Sequence, residues 1–68
     1  MENAVYKQIE ITGSSPVSSD QAVSNAIAKA AESVHHIHWF HVAETRGYVE
    51  DGKIKAWQVT VKIGFRLD

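Results

Sequence analysis

The 68-residue sequence contains no cysteine, which excludes disulfide bonds and thiolate metal sites. Seven basic and eight acidic residues are dispersed along the chain and leave a formal net charge of −1, unlike the basic patch of a nucleic-acid-binding protein. No apolar run approaches the roughly 20 residues of a membrane span, and the N-terminal stretch lacks the apolar core of a signal peptide. We therefore expect a cytoplasmic protein that binds neither nucleic acid nor membrane.

The chain is shorter than the length at which one hydrophobic core is comfortably stable. With disulfides excluded, the remaining ways to stabilise the fold are histidine ligation of a metal and self-association. The sequence has no internal repeat, low-complexity segment or linker, so residues 1–68 are predicted to form a single domain.

The N-terminal half predicts a strand followed by a helix. Residues 4–12 alternate between apolar and polar side chains, and the strand is expected to end at Gly13. Residues 19–35 carry one apolar stripe rich in alanine, which is typical of an amphipathic helix packed on a flat surface. Ser18 is the predicted N-cap, with Gln21 as its capping-box partner.

The C-terminal half predicts two strands, 37–49 and 53–67, joined by a hairpin turn at "DG". The element order is therefore β-α-β-β. Because the helix has one apolar stripe and the sheet one apolar face, we predict an α+β fold with a three-stranded antiparallel sheet packed on one amphipathic helix. Trp57 is assigned to the core face, where it is expected to contribute to stability.

Alternation along the second strand separates a core face from a polar face. Phe40 and Val42 form the predicted core pair, whereas Trp39 lies on the opposite face together with Gln58. A β-bulge near Ala43 would reverse this phase for the residues that follow.

The stretch "HHIHWFH" contains every histidine of the chain. A metal site needs two or three imidazoles that converge on one point. On a strand His36 and His38 share one face and His41 the other, while His35 is expected to end the helix, where a cation is favoured. We therefore predict solvent-facing or helix-end histidines and no metal site. Without a cysteine nucleophile or a Ser-His-Asp arrangement, no catalytic residue is predicted either.

Trp39 and Gln58 carry the chemistry of a binding site for a flat heterocycle. An indole stacks on planar rings, and a glutamine amide offers a donor and an acceptor to a pyrimidine-like edge. The residue pattern taken alone favours the simpler interpretation, an interface tryptophan beside an ordinary surface glutamine.

Five segments in order and spacing carry a family resemblance that runs nearly from end to end: "VYKQIEITGSS", "AVSNAIAKAAESV", "HWFHV", "RGYVEDGKI" and "WQVTVKIGFRL". The sequence resembles the dodecins, small flavin-binding proteins that assemble into hollow dodecamers. The resemblance implies a homododecameric, non-enzymatic protein that stores and photoprotects FMN, or riboflavin or FAD, as pairs stacked between tryptophans. The alternative is a structural oligomer whose aromatic face seals subunit contacts. An enzyme that turns over bound flavin is a third, weaker alternative.

The resemblance also implies roles for individual residues. Trp39 matches the tryptophan that stacks on the flavin, and Gln58 the glutamine that hydrogen-bonds its ring edge. Arg46 and Arg66 match basic positions near the ligand, and Lys29 occupies a position that is basic in members that bind coenzyme A.

The sequence departs from the family pattern at His38 and His41, where bacterial relatives often carry acidic residues. Histidine changes charge in the physiological pH range. We therefore expect the affinity for a phosphorylated flavin to depend on pH.

Overall fold

The computed structural model describes residues 3–67, so Met1, Glu2 and Asp68 of the predicted domain lie outside the described residues. The chain folds in the order β1 (Val5–Ser15), α1 (Ser19–Ala30), β2 (Ile37–Glu50) and β3 (Lys53–Leu67). The strands form one antiparallel sheet in the order β1-β3-β2. The predicted α+β fold with a three-stranded sheet and one helix is confirmed.

Strand β1 continues past the glycine at which it was predicted to end. Gly13 pairs with Val59, and the strand runs on to Ser15. A Cβ atom on Gly13 would lie 2.1 Å from the carbonyl oxygen of Ala22 and 2.8 Å from the Cβ of Ala26. The glycine therefore allows α1 to lie directly on the strand, and the alanine stripe is packed against the sheet as predicted.

The start of α1 is capped by Ser18, as predicted. The backbone N–H of Gln21 donates to Ser18 Oγ over 3.0 Å. The predicted capping-box partner is wrong, because Gln21 Oε1 accepts a hydrogen bond from Ser15 Oγ instead. Ser15 Oγ also accepts from the backbone N–H of Val17 at 2.9 Å, so this buried hydroxyl organises the turn between β1 and α1.

The helix ends at Ala30, five residues before the predicted His35. A backbone hydrogen bond from Ser33 N to Ala30 O, 3.1 Å long, spans only three residues and tightens the last turn. His36 then adopts a left-handed conformation with φ 65°, which redirects the chain into β2.

The core lies between α1 and the centre of the sheet, and its buried apolar side chains are Ala22, Ala26, Val59, Val61 and Ile63. Phe40 and Val42 occupy the same side of the sheet but remain 51% and 42% exposed. The predicted core pair is therefore wrong for a single chain, because α1 packs over β1 and β3 and leaves β2 open. The two side chains border an apolar groove beside the helix.

The hairpin between β2 and β3 turns at Asp51 and Gly52, whose φ angles of 52° and 74° are those of the predicted tight turn. The hairpin extends beyond the helix, and the chain is 52 Å long. Tyr48, Val49 and Ile54 are exposed near its tip.

Candidate functional site

The four candidate ligand-binding residues lie on the face of the sheet turned away from α1, called the outer face below: Trp39, Arg46, Gln58 and Arg66. Their positions follow from alternation with the core residues of β3 and from the pairing of β2 with β3. The predicted placement of Trp39 and Gln58 on one face is confirmed.

A bulge at Ala43 brings Arg46 onto the outer face. The pairing of β2 with β3 shifts between Val42 and Glu44, in the region where a bulge would reverse the predicted phase. Uninterrupted alternation would put Arg46 on the helix side with Val42. The extra residue instead sets Arg46 directly opposite Gln58.

The first end of the outer face, called the tryptophan end, is built around Trp39 and Gly64. These two residues pair across β2 and β3. A Cβ on Gly64 would lie 2.1 Å from Trp39 Cε2 and 2.2 Å from Cζ2, so the indole rests on the glycine backbone. The indole remains 39% exposed, and the ring of Tyr6 lies beside it with a centroid distance of 6.3 Å.

His38 belongs to the same end of the outer face. Its Nδ1 lies 3.1 Å from Tyr6 Oη, and the two rings meet edge to face. Alternation predicted that His38 and Trp39 lie on different faces of the sheet, and this prediction is wrong. The pairing of β2 with β3 shifts between Ile37 and Trp39, and this irregularity lets His38 contact an outer-face residue.

The second end, called the polar end, is formed by Arg46, Gln58 and Glu44. Arg46 Nη1 donates to Gln58 Oε1 at 3.2 Å, and the guanidinium also forms an ion pair with Glu44. The side-chain NH2 of Gln58 makes no hydrogen bond within residues 3–67. This end therefore presents an oriented amide donor beside a cation.

The two ends do not meet within one chain. Gly64, beneath the indole, and Gln58 are six residues apart on β3, or about 20 Å at the rise of a β-strand. Thr12 and Thr60, whose hydroxyls are 2.8 Å apart, lie between them. This backbone separation exceeds the length of a tricyclic ring system.

The remaining candidate residues lie away from these ends or form no cluster. Lys29 is on α1, on the other side of the sheet, and pairs with Glu32 at 3.4 Å. The rings of His35 and His36 are 6.5 Å apart. Within residues 3–67, no three histidine, aspartate or glutamate side chains are arranged to hold a metal ion. No helix in that range is long and apolar enough to cross a membrane.

Residues that the sequence reasoning missed are Gly64, Tyr6 and Glu44. An isolated glycine inside a strand indicates close approach by another group, so the sequence could have predicted a close contact at Gly64. The contact of Tyr6 with Trp39 could not be predicted from the sequence, because β1 and β2 are not neighbours in the sheet.

Comparison with known proteins shows that the similarity covers nearly the whole chain. The family model "Dodecin" matches residues 5–68. The dodecin of Thermus thermophilus is 38% identical over 64 residues, which cover 94% of this chain and 93% of that protein. A solved dodecin from Streptomyces davaonensis is 48% identical with a TM-score of 0.92, covering 98% of both chains. The calcium dodecin of Mycobacterium tuberculosis, described with a novel calcium-binding site, is 35% identical with a TM-score of 0.81, covering 94% of this chain and 91% of that one.

Proposed function

Because the chain belongs to the dodecin family, we propose that it binds FMN, stores it and protects it from light without enzymatic turnover. Family membership supports a small flavin-binding protein. FMN is proposed in preference to riboflavin because two arginines on the outer face suit a phosphate group, which riboflavin lacks.

The main observation that supports the proposal is the packing of the Trp39 indole on the backbone of Gly64. The sheet covers one face of the indole, which leaves the other face for a planar ligand. Stacking between aromatic rings contributes about 0.5–1.5 kcal/mol beyond the area buried. A bound flavin would supply a planar ring that absorbs light and accepts electrons. Stacking would exclude water from that ring and hold it against an electron-rich indole.

The polar end supplies the second group of proposed contacts. Gln58 donates its amide hydrogens to a carbonyl oxygen at the edge of the flavin ring, while Arg46 orients the amide. Arg66, two residues beyond Gly64 on β3, adds positive charge near the tryptophan end. These residue types fit the ring edge and the phosphate of FMN.

A homododecameric shell is proposed as the form that binds flavin. Support comes from the separation of about 20 Å between the tryptophan and polar ends, derived from the strand rise. The exposed apolar side chains Phe40, Val42, Val49 and Ile54 further support burial by other copies. Coenzyme A, proposed to bind at subunit junctions near Lys29, would then occupy a surface separate from the outer face.

A fluorescence titration of FMN with flavin-free protein tests the proposed function. Near-complete quenching that saturates at about one flavin per chain is expected, because each chain contributes one Trp39 to the stacked pairs. Absence of binding would contradict the proposal and leave the alternative, an oligomer whose aromatic face seals subunit contacts. Steady-state assays with a hydride donor test the absence of turnover.

A further inference from the structure

A hydrogen-bonded tyrosine–histidine pair lies beside Trp39 and takes no part in the proposed flavin contacts. Tyr6 Oη is 3.1 Å from His38 Nδ1, and the ring centroids are 5.4 Å apart. The Tyr6 centroid is also 6.3 Å from that of Trp39, with the planes inclined at 49°. Tyr6 therefore lies close to both an indole and an imidazole nitrogen.

We propose that Tyr6 and His38 form a proton-coupled electron donor that restores Trp39 after one-electron oxidation. The inference rests on the proposed function in one respect, namely that a photoexcited flavin stacked on Trp39 is the natural oxidant. The pair then limits damage to the indole on which flavin binding depends.

The transfer of one electron and one proton involves only the side chains of Trp39, Tyr6 and His38. After an oxidant has removed one electron from the Trp39 indole, Tyr6 transfers one electron to that ring. The Tyr6 O–H bond breaks, and its proton passes to Nδ1 of His38. The products are a neutral indole, a neutral phenoxyl radical and an imidazolium. Return of the electron from the reduced oxidant and of the proton from His38 regenerates the phenol.

The hydrogen bond to His38 allows Tyr6 to act as this electron donor. One-electron oxidation makes a phenolic proton strongly acidic, so tyrosine is oxidised readily where a base can accept that proton. Proton transfer needs a donor–acceptor distance of about 2.6–3.2 Å, and the bond from Tyr6 to His38 lies in that range. Neutral His38 accepts at Nδ1 when its hydrogen is on Nε2.

The second tryptophan and second tyrosine of the chain provide an internal contrast. Trp57 on β3 and Tyr48 on β2 occupy the hairpin half of the molecule. Tyr48 makes no side-chain hydrogen bond among residues 3–67, so it has no bonded proton acceptor there. His41 likewise makes no hydrogen bond to a tyrosine within the described part of the chain. The arrangement required for proton-coupled transfer is thus specific to Tyr6 and His38.

Pulse radiolysis of the flavin-free protein tests the inference. Azide radicals remove one electron from indoles in preference to phenols, and absorbance then follows the decay of the oxidised indole and the appearance of the phenoxyl radical. A fast conversion that slows in deuterated water is expected for the wild type. Tyr6→Phe should abolish this phase, whereas Tyr48→Phe should retain it. His38→Phe should slow it on the order of 10²-fold, the lower contribution of a positioned proton acceptor.

His41→Phe is the matched control for His38→Phe, because both remove an exposed imidazole from β2. It should leave the fast phase unchanged. A phase that survives Tyr6→Phe, is insensitive to deuterium or slows equally in both histidine variants would overturn the inference. Since no flavin is present, this outcome is independent of whether the protein binds FMN.

Discussion

The tryptophan end and the polar end of the outer face differ in the kind of contact that they offer. At the tryptophan end, Trp39 lies on a glycine and presents a broad apolar ring. At the polar end, Arg46 and Gln58 present hydrogen-bond donors in a fixed orientation. Stacking supplies affinity with little directional preference, whereas a polar edge contact distinguishes one ring from another.

The separation of the ends is as informative as their chemistry. A sheet holds side chains along one strand at fixed spacing, so the distance of about 20 Å between Gly64 and Gln58 does not close through local motion. In the proposed assembly, each chain contributes half of two sites. Assembly then becomes a requirement for binding as well as a source of stability.

Removing the aromatic ring should produce the largest effect. Trp39→Ala is expected to weaken FMN binding by about 1–3 kcal/mol, the usual contribution of aromatic stacking on a base. Trp57→Ala is the control, because that half-buried residue lies on the core face. It should lower the thermal unfolding midpoint and leave FMN affinity unchanged. Equal losses of affinity in fluorescence titrations would remove the special role of the tryptophan end.

Filling the space above Gly64, where the Trp39 indole packs, should have the next largest effect. Gly64→Ala introduces a Cβ where Trp39 now lies, and overpacking of this kind costs about 1–3 kcal/mol of stability. The displaced indole should also bind FMN more weakly. In Gly47→Ala the new Cβ would be 3.5 Å from Ala56 O, an ordinary contact, so this control should bind as the wild type does. Calorimetry and FMN titration of both variants make the comparison.

Removing the polar edge contact should have a smaller effect. Gln58→Leu is expected to lower FMN affinity by about 0.5–1.5 kcal/mol, the net value of a typical hydrogen bond. The loss should be similar for riboflavin, since the contact is with the ring. A loss confined to FMN would instead assign Gln58 to the phosphate.

The smallest predicted effect is the pH dependence conferred by His38 and His41. Histidine changes charge in the physiological pH range and exposed charges are screened, so FMN affinity should change by no more than about fivefold between about pH 8 and pH 5.5. Riboflavin provides the control without phosphate. Flat FMN affinity over this range, or the same change for riboflavin, would contradict the prediction.

Local sequence signals predicted the elements and the shared face of Trp39 and Gln58. The Ser18 cap and the Asp51–Gly52 turn depend on side chains and glycine conformations that local sequence encodes. The helix end was mispredicted because Ala31 and Glu32 are good helix formers, while the turn into β2 depends on a left-handed His36.

The remaining features depend on contacts between distant segments. The exposure of Phe40 follows from where α1 crosses the sheet, which alternation does not specify. The bond from Tyr6 to His38 joins residues on the two outer strands, and the pairing shift beside His38 has no local glycine or proline to mark it. Such contacts are fixed by the packing of the whole sheet.

One flavin is proposed to contact the tryptophan end of one chain and the polar end of another. Trp39→Ala and the double variant Arg46→Ala, Gln58→Leu are to be unfolded, mixed in equal amounts, refolded together and titrated with FMN. The mixture should contain a class of wild-type-affinity sites that neither variant forms by itself. A titration equal to the sum of the two separate variants would show that the two ends do not combine between chains.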